Sequence, residues 1–507
     1  MQLSVISADL STSGPTAFMN IDDCLKLGVD VNDRIRITAK RSVVSALMIT
    51  EAVPEGKILM PASLIRRCRA SSGDVVEVAY SPLPESVRSI KKKINGHRLT
   101  DDEINSIVTD IQNENLSDKE ILAFVSAFNV NNADMQEIAA LTRSMADTGT
   151  HLDLGAKRLF DFHSLGGVPG NKITPIVVSI AAAAGLTIPK MSSRAISSAC
   201  GTSDYVDTFC DVEMEPDALK KALKRTGGLF ICGNEGYAPV GKTIIAAEKP
   251  MGIDPRPTMM ASIMSKKVAL GITDLVIDIP TGEGSKIPDR EIAEDYAKDM
   301  IRLGKELGMR VECAITRADQ PIGHCIGPIL EARECISILE NGTIDGSVAD
   351  KACGMAGMIL DMAGSDDGYA EAMEMITSGK AYQKFLEIVE VQNGSPELKA
   401  NDRKPGRFVR DIHATRTGFV QFIDNPSIVA IARGAGAPED LGAGIELLHR
   451  KGDRVSEGET LFRIYAENQA KLDRAVDSAR SRRPMKVEDV YMPPTSDHMI
   501  IGRIADY

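Results

Sequence analysis

Between about Leu159 and Ala400, short apolar runs alternate with helix-like patterns and with turns that contain glycine. This alternation is the strongest constraint on the fold, because strands that alternate with helices pack in α/β layers. The run from Leu275 to Ile279 is the clearest buried strand. The sequence therefore predicts a central α/β domain over residues 159–402.

The segments on either side of this domain read differently. Residues 1–84 contain short strand-like runs broken by turn residues and end at a linker punctuated by prolines, which predicts a small β-rich domain. Residues 411–507 return to strand-like segments with glycine turns and include an amphipathic helix. They predict a separate C-terminal α+β domain.

Residues 88–158 carry the signals of a helical subdomain. Two pairs have the spacing of a capping box, in which a hydroxyl and a glutamate satisfy the first N–H groups of a helix: Thr100 with Glu103, and Ser117 with Glu120. Apolar residues at helical spacing follow each pair. The predicted fold class is thus multidomain α/β, with helical, β-rich and α+β parts around the central domain.

Length and charge limit the classes of function. A chain of 507 residues with 43% hydrophobic residues is too long for a single hydrophobic core, so several domains are expected. A net charge of -12 argues against nucleic-acid binding, which needs a basic face. The first residues lack a basic leader, and no apolar run reaches the ~20 residues of a membrane helix, so we expect a cytoplasmic protein with small-molecule substrates.

The cysteines and histidines give no metal signal. The nine cysteines are scattered, without a CxxC pair or a cluster with histidine at zinc spacing. The predicted site therefore contains no metal and no cofactor.

The first candidate functional segment runs from Asp161 to Thr174. A strand-like approach enters Gly166-Gly167 and then Gly170, ahead of an apolar helix. Glycines in such a turn let main-chain N–H groups point inward, and a helix terminus adds positive potential, so an anion can bind there. A tight turn without a ligand explains the glycines equally well.

The second segment, Ser192 to Asp204, combines six hydroxyls with an arginine and a glycine. Hydroxyl donors and Arg194 suit phosphate oxygens, and Gly201 allows Thr202 to approach closely. The alternative is a serine-rich loop whose hydroxyls bond only to the local backbone.

Two further segments contribute charged residues. In Gly252 to Lys267, Asp254 precedes a predicted helix start, and Ser262 lies on that helix. An aspartate there is most often a simple helix cap. In Asp274 to Lys286, a strand enters glycines and ends on Lys286, which has the reach to contact a phosphate or, as loop lysines usually do, water.

In this order, the four segments resemble the thymidine and pyrimidine nucleoside phosphorylase family. The motifs that carry the resemblance are HS-x-GG at His163–Gly167, S-x-R-x(7)-T-x-D at Ser192–Asp204 and AS-I-M-SKK at Ala261–Lys267. The resemblance covers essentially the whole chain and is closer to the archaeal branch that acts on AMP, which has the extra N-terminal domain.

Two positions depart from the nucleoside enzymes. Their phosphate loop carries a lysine where this chain has Phe162, and their base-binding arginine falls on Ala247. The resemblance to the archaeal branch therefore implies phosphorolysis of AMP, with adenine and α-D-ribose 1,5-bisphosphate as products and CMP and UMP as further substrates.

The resemblance also implies a site. Inorganic phosphate is the co-substrate, Asp254 donates a proton to the departing base, Ser262 orients the substrate and Lys286 contacts the 5'-phosphate. We expect Asp254 to be buried against Met259, Met260 and Met264. The predicted substrate-binding residues are Gly167, Ser192, Ser193, Arg194, Ala195, Ile196, Ser197, Ser198, Thr202, Ser262 and Lys286.

Three other interpretations stay open at this point. A nucleoside phosphorylase and a phosphoribosyltransferase of the anthranilate type share the implied fold, although the latter needs carboxylates for a magnesium-bound pyrophosphate. A non-catalytic nucleotide-binding assembly protein keeps the phosphate donors but does not need Asp254. For the enzyme, we expect a homodimer or a larger homo-oligomer.

Overall fold

The computed structural model describes residues 1–12, 14–195, 198–233, 236–491, 496 and 498–506. The chain forms two compact units. One consists of Met1–Thr150 and Glu235–Ser265, and the other of His151–Asn234 and Lys266–Tyr507. Among the described helices, none combines the length and the apolar character needed to cross a membrane.

The first unit begins with a closed barrel in the strand order β1-β5-β2-β4-β3-β6. Side chains alternate between the interior and the surface, so Leu3, Val5, Ile35 and Ile37 are buried. This barrel is the β-rich part that the turn-broken strands predict. Its elements are β1 (Gln2–Ala8), β2 (Thr16–Met19), α1 (Ile21–Leu27), β3 (Arg34–Thr38), β4 (Ser42–Ile49), β5 (Lys57–Pro61), α2 (Ala62–Cys68) and β6 (Val75–Tyr80).

Helices follow the barrel, as predicted. Both predicted capping boxes are present, and Asp134 with Glu137 forms a third that the sequence reading missed. The helices are α3 (Ser86–Ile94), α4 (Asp101–Gln112), α5 (Asp118–Val130) and α6 (Met135–Asp147).

The second unit contains a central sheet in the order β19-β11-β10-β7 and a separate parallel pair, β8 with β9. The strand β10 is buried along its whole length, which explains its largely apolar sequence, although the buried Asp278 lies within it. The strands are β7 (Phe160–Ser164), β8 (Ile188–Ser192), β9 (Gly228–Cys232), β10 (Asp274–Thr281), β11 (Arg310–Arg317), β12 (Cys325–Ile326), β13 (Phe408–His413), β14 (Gly418–Ile423), β15 (Gly444–Leu447), β16 (Arg454–Val455), β17 (Thr460–Ala466), β18 (Met485–Glu488) and β19 (Ile500–Ile504).

The C-terminal part of this unit has two small sheets, in the orders β12-β15-β17-β13 and β16-β14-β18. The last strand, β19, returns to the central sheet and pairs antiparallel with β11. The domain boundaries given by the sequence stay predictions.

The remaining helices complete the α/β layers and the C-terminal part. Of these, α10 and α11 up to Ser265 belong to the first unit. They are α7 (Thr174–Ala183), α8 (Thr202–Val206), α9 (Pro216–Thr226), α10 (Val240–Glu248), α11 (Arg256–Ala269), α12 (Arg290–Glu306), α13 (Pro328–Asn341), α14 (Ser347–Ala363), α15 (Gly368–Thr377), α16 (Lys380–Val391), α17 (Asn425–Ala435) and α18 (Gln469–Arg482), with 3-10 turns at Lys249–Met251 and Ala400–Asp402.

Candidate active site

Three of the four predicted segments cover the carboxyl ends of parallel strands of the second unit. The glycine turn at Gly166-Gly167 follows β7, the serine-rich segment starts on the last residue of β8, and the loop that ends on Lys286 follows β10. The strands β7 and β10 are neighbours, with Ser164 opposite Asp278. Ligands of α/β sheets bind outside the carboxyl ends of the strands, so these segments stand where a substrate site is expected.

The glycine turn lies against Lys286. Gly166 and Gly167 have φ of 76° and 87°, a conformation that favours glycine. A Cβ atom on Gly167 would lie 2.6 Å from Cγ of Lys286 and 2.9 Å from its main-chain nitrogen. The structure thus brings two predicted site residues into direct contact, and both are exposed.

Buried polar residues hold this turn. The hydroxyl of Ser164 accepts hydrogen bonds from the Gly166 N–H (3.2 Å) and from Nδ2 of Asn171 (3.1 Å), and Nδ2 of Asn171 also donates to Asp278 at 3.2 Å. Asp278 pairs at 2.8 Å with Lys351, and both side chains are fully buried. The sequence reading missed this support, because no local pattern links residues from β7, β10 and α14.

Asp204 organises the serine-rich segment. Its Oδ2 accepts hydrogen bonds from the N–H groups of Ala195 and Gly201, each at 2.8 Å. A Cβ atom on Gly201 would lie only 2.5 Å from the Ala195 nitrogen, so the loop closes tightly on this glycine. The segment is therefore a folded loop whose shape depends on one carboxylate.

The predicted hydroxyl residues lie along this loop. Ser192 is at the end of β8, with its hydroxyl 3.1 Å from that of Ser203, and Ser193 is exposed. Ser198 donates to a main-chain carbonyl within the loop, and Thr202 begins α8. The predicted residues Ile196 and Ser197 lie outside the described residues.

Arg194 contacts carboxylates in this structure. Its Nη2 lies 2.8 Å from Glu213 and 2.9 Å from Asp207, and its Nη1 lies 3.7 Å from Asp204. The hydrogen bonds that the guanidinium donates to Glu213 and Asp207 raise its pKa, although it is already permanently charged. These carboxylates balance its charge, and direct contact between Arg194 and phosphate stays a prediction.

The remaining segment, Gly252 to Lys267, belongs to the first unit up to Ser265. Asp254 lies two residues before α11, and Ser262 lies within that helix and is 8% exposed. Asp254 is exposed, so the expected burial against the methionines is wrong; Met260 and Met264 are buried in the helix themselves. The helix turns these methionines into the core, and the loop before it leaves Asp254 at the surface.

A buried carboxyl group, Glu248, lies just before this segment, and the sequence reading missed it. It ends α10, is 5% exposed and accepts a hydrogen bond of 2.8 Å from the hydroxyl of Thr258. Burial raises the pKa of Glu248 to about 7, and the nearby charge of Asp254 acts in the same direction. Within the described part of the chain, no three His, Cys, Asp or Glu side chains converge as metal ligands.

Comparisons with known proteins agree with the fold. Residues 87–149 match the helical bundle domain of a glycosyl transferase family, and residues 156–382 match its a/b domain. Residues 419–486 match the C-terminal domain of pyrimidine nucleoside phosphorylases. The fold and the strand-end segments thus define a glycosyltransferase of the phosphorylase type.

Similar proteins extend over nearly the whole chain. The AMP phosphorylase of Thermococcus kodakarensis is 44% identical over 97% of this chain and 99% of its own length. That of Pyrococcus abyssi is 46% identical over 94% of this chain and 95% of its own length. The chain belongs to the AMP phosphorylase family.

A solved structure supports the fold. Anthranilate phosphoribosyltransferase from Thermus thermophilus aligns with a TM-score of 0.52 and 20% identity, covering 60% of this chain and 99% of that one. This likeness concerns the fold alone. The full-length relatives favour the AMP phosphorylases over the nucleoside phosphorylases.

Proposed function

We propose that the protein cleaves nucleoside 5'-monophosphates with inorganic phosphate, AMP first among them, and also CMP and UMP. An oxygen of phosphate bonds to the anomeric carbon of the ribose while the bond from that carbon to the base nitrogen breaks. The bonding electrons leave with the base, which takes up one proton. For AMP the products are adenine and α-D-ribose 1,5-bisphosphate, and the reaction balances without a cofactor.

The observation that supports this function best is the contact between Gly167 and Lys286. A nucleotide substrate and phosphate bring two anionic groups to one site. The glycine turn offers main-chain N–H groups to one anion, and Lys286 stands beside it with a positive charge for the other. A nucleoside has no 5'-phosphate to use this lysine, and the full-length relatives are named for AMP.

In the proposed mechanism, Ser192 to Ser198 and Thr202 bind the attacking phosphate and the turn at Gly167 completes its site. Holding phosphate in line with the anomeric carbon supplies up to about 7–11 kcal/mol as effective concentration. Asp254 gives its proton to the departing base, and Ser262 orients the base or ribose.

The first experiment measures phosphate-dependent release of base from AMP, CMP, UMP, adenosine and thymidine at equal concentrations. The proposal expects strong release from the monophosphates and little from the nucleosides. Lys286→Ala should raise the KM for AMP and leave the residual reaction of adenosine unchanged. Equal weakening with both substrates would remove Lys286 as the 5'-phosphate contact.

The proton-donor role has its own test. Asp254→Asn keeps the shape of the side chain but has no proton of suitable acidity, so release of adenine from AMP should fall by about 100-fold or more, with the KM for phosphate little changed. Full activity in this variant would contradict the assignment.

We also propose that the enzyme works in the cytoplasm as a homo-oligomer, with a dimer as the smallest form. Light scattering coupled to size exclusion measures its mass in solution. A monomeric mass at working concentration would exclude the oligomer.

A further inference from the structure

The buried side chain of Lys190 joins the two strands that lead into the proposed phosphate site. Its Nζ donates to the carbonyl of Phe162 in β7 at 2.8 Å and to the carbonyl of Met191 in β8 at 3.0 Å. These strands belong to different sheets, and a bond of 2.9 Å from the Phe160 N–H to Thr187 connects them at their other end. The ammonium therefore holds them together immediately before the glycine turn and the serine-rich loop.

The charges around Lys190 are unequal. Asp161 is fully buried and lies 3.5 Å from Nζ of Lys190 and 2.6 Å from Nζ of Lys267. Lys266, the next residue on α11, is partly buried and forms no ion pair with any described carboxylate. Lys190 and Lys267 thus share one carboxylate, and Lys266 adds a further positive charge nearby. Unbalanced buried charge is costly.

The titratable groups facing this cluster show how the protein without ligand limits that cost. Burial, together with Lys267 and Lys266, lowers the pKa of Lys190 to about 7, and Asp161 opposes this shift. Burial also lowers the pKa of Lys266 to about 8, and that of His163 falls well below its ordinary value. An anion bound at the adjacent turn would favour the protonated lysines.

We propose that Lys190 is a positioning residue for the phosphate co-substrate: it joins the two phosphate-binding segments and gains its full positive charge when a dianion binds. This inference rests on the proposed function and adds a residue that lies outside the predicted contacts. Lys190 takes up a proton as phosphate binds, so the affinity for phosphate depends on pH through a group that does not touch the substrate.

The test uses sulfate, a dianion that does not titrate near neutral pH, in isothermal titration calorimetry with the full chain. Heats measured in two buffers of different ionisation enthalpy give the number of protons taken up on binding. If the anion raises the pKa of Lys190 by about two units, the wild-type protein should take up most of one proton through this residue at pH 8.

Two variants separate the charge from the hydrogen bonds. Lys190→Met removes both and should weaken sulfate binding by about tenfold at pH 8 and by about 100-fold at pH 6. The part of the proton uptake that occurs through Lys190 should also be lost. Lys190→Gln keeps a donor for the strand carbonyls and should show the same loss of proton uptake. Circular dichroism and thermal unfolding verify that each variant is folded.

Lys93→Met is the matched control. Lys93 is equally buried, at 2% exposed, and pairs with Glu137 at 2.7 Å among the helices of the first unit. This variant should keep the wild-type affinity and proton uptake. Wild-type values in folded Lys190→Met and Lys190→Gln would overturn the role of Lys190, whereas a wild-type protein that binds neither sulfate nor phosphate would overturn the proposed function.

Discussion

Replacing Gly167 by alanine should disable the site through its contact with Lys286. A φ of 87° costs an alanine about 1–2 kcal/mol of stability. The new Cβ would lie 2.6 Å from Cγ of Lys286, so the lysine segment must move by about 0.8 Å to reach an ordinary contact. Because a misplacement of about 1 Å at a reacting site costs about 100-fold in rate, kcat/KM for AMP should fall between about 30- and 100-fold.

Gly166→Ala isolates this contact from the backbone strain. Gly166 belongs to the same turn and has a φ of 76°, but a Cβ atom there would have nothing within 4 Å. Both variants should lose similar stability in urea unfolding, and Gly167→Ala should lose at least about tenfold more kcat/KM for AMP. If the two variants release adenine at equal rates, the displacement of Lys286 is not what limits activity.

Three further variants test the supporting residues. Asp204→Ala removes the acceptor of the Ala195 and Gly201 N–H groups and should destabilise the loop by about 2 kcal/mol, seen as a KM for phosphate at least about tenfold higher. Gly201→Ala forces the loop open and should raise the same KM with little effect on global unfolding. Burial raises the pKa of Glu248 to about 7, so the folded chain binds more protons than the unfolded chain between about pH 4 and 7, and stability falls as pH rises across this range. Glu248→Gln should therefore raise the free energy of unfolding by up to about 3 kcal/mol at pH 8 and change it little at pH 4, which denaturant titration at both pH values measures.

Local signals in the sequence predict much of the fold. The capping boxes at Thr100 and Ser117 need only residues three positions apart, and the apolar run of β10 records burial on both faces. The motif segments also indicate at which strand ends we expect the site. In each case the physical cause lies within a few residues of the pattern.

The contacts that shape the site depend on residues far apart in the chain. Asp161 meets Lys267 across 106 positions, and nothing near Lys190 distinguishes it from the lysines that lie, as most do, at the surface. The same dependence on contacts between distant residues explains why the sequence predicted burial of Asp254 and missed the burial of Glu248. A residue name gives the chemistry of a carboxyl group, but the tertiary packing decides which carboxyl group is removed from water.

The distribution of charge in the second unit predicts which cations would stabilise a bound phosphate most strongly. Arg194, the cation of the serine-rich segment, already contacts carboxylates. In contrast, the buried Lys190 and Lys267 have only the single negative charge of Asp161 between them. A dianion at the glycine turn would gain more from the unbalanced lysines than from the neutralised arginine, although the arginine is nearer in sequence to the predicted donors. Sulfate affinity should therefore respond more strongly to Lys190→Met than to Arg194→Met at pH 6, where Lys190 is largely protonated. The opposite ranking, measured by calorimetry on the two folded variants, would return the main electrostatic role to Arg194.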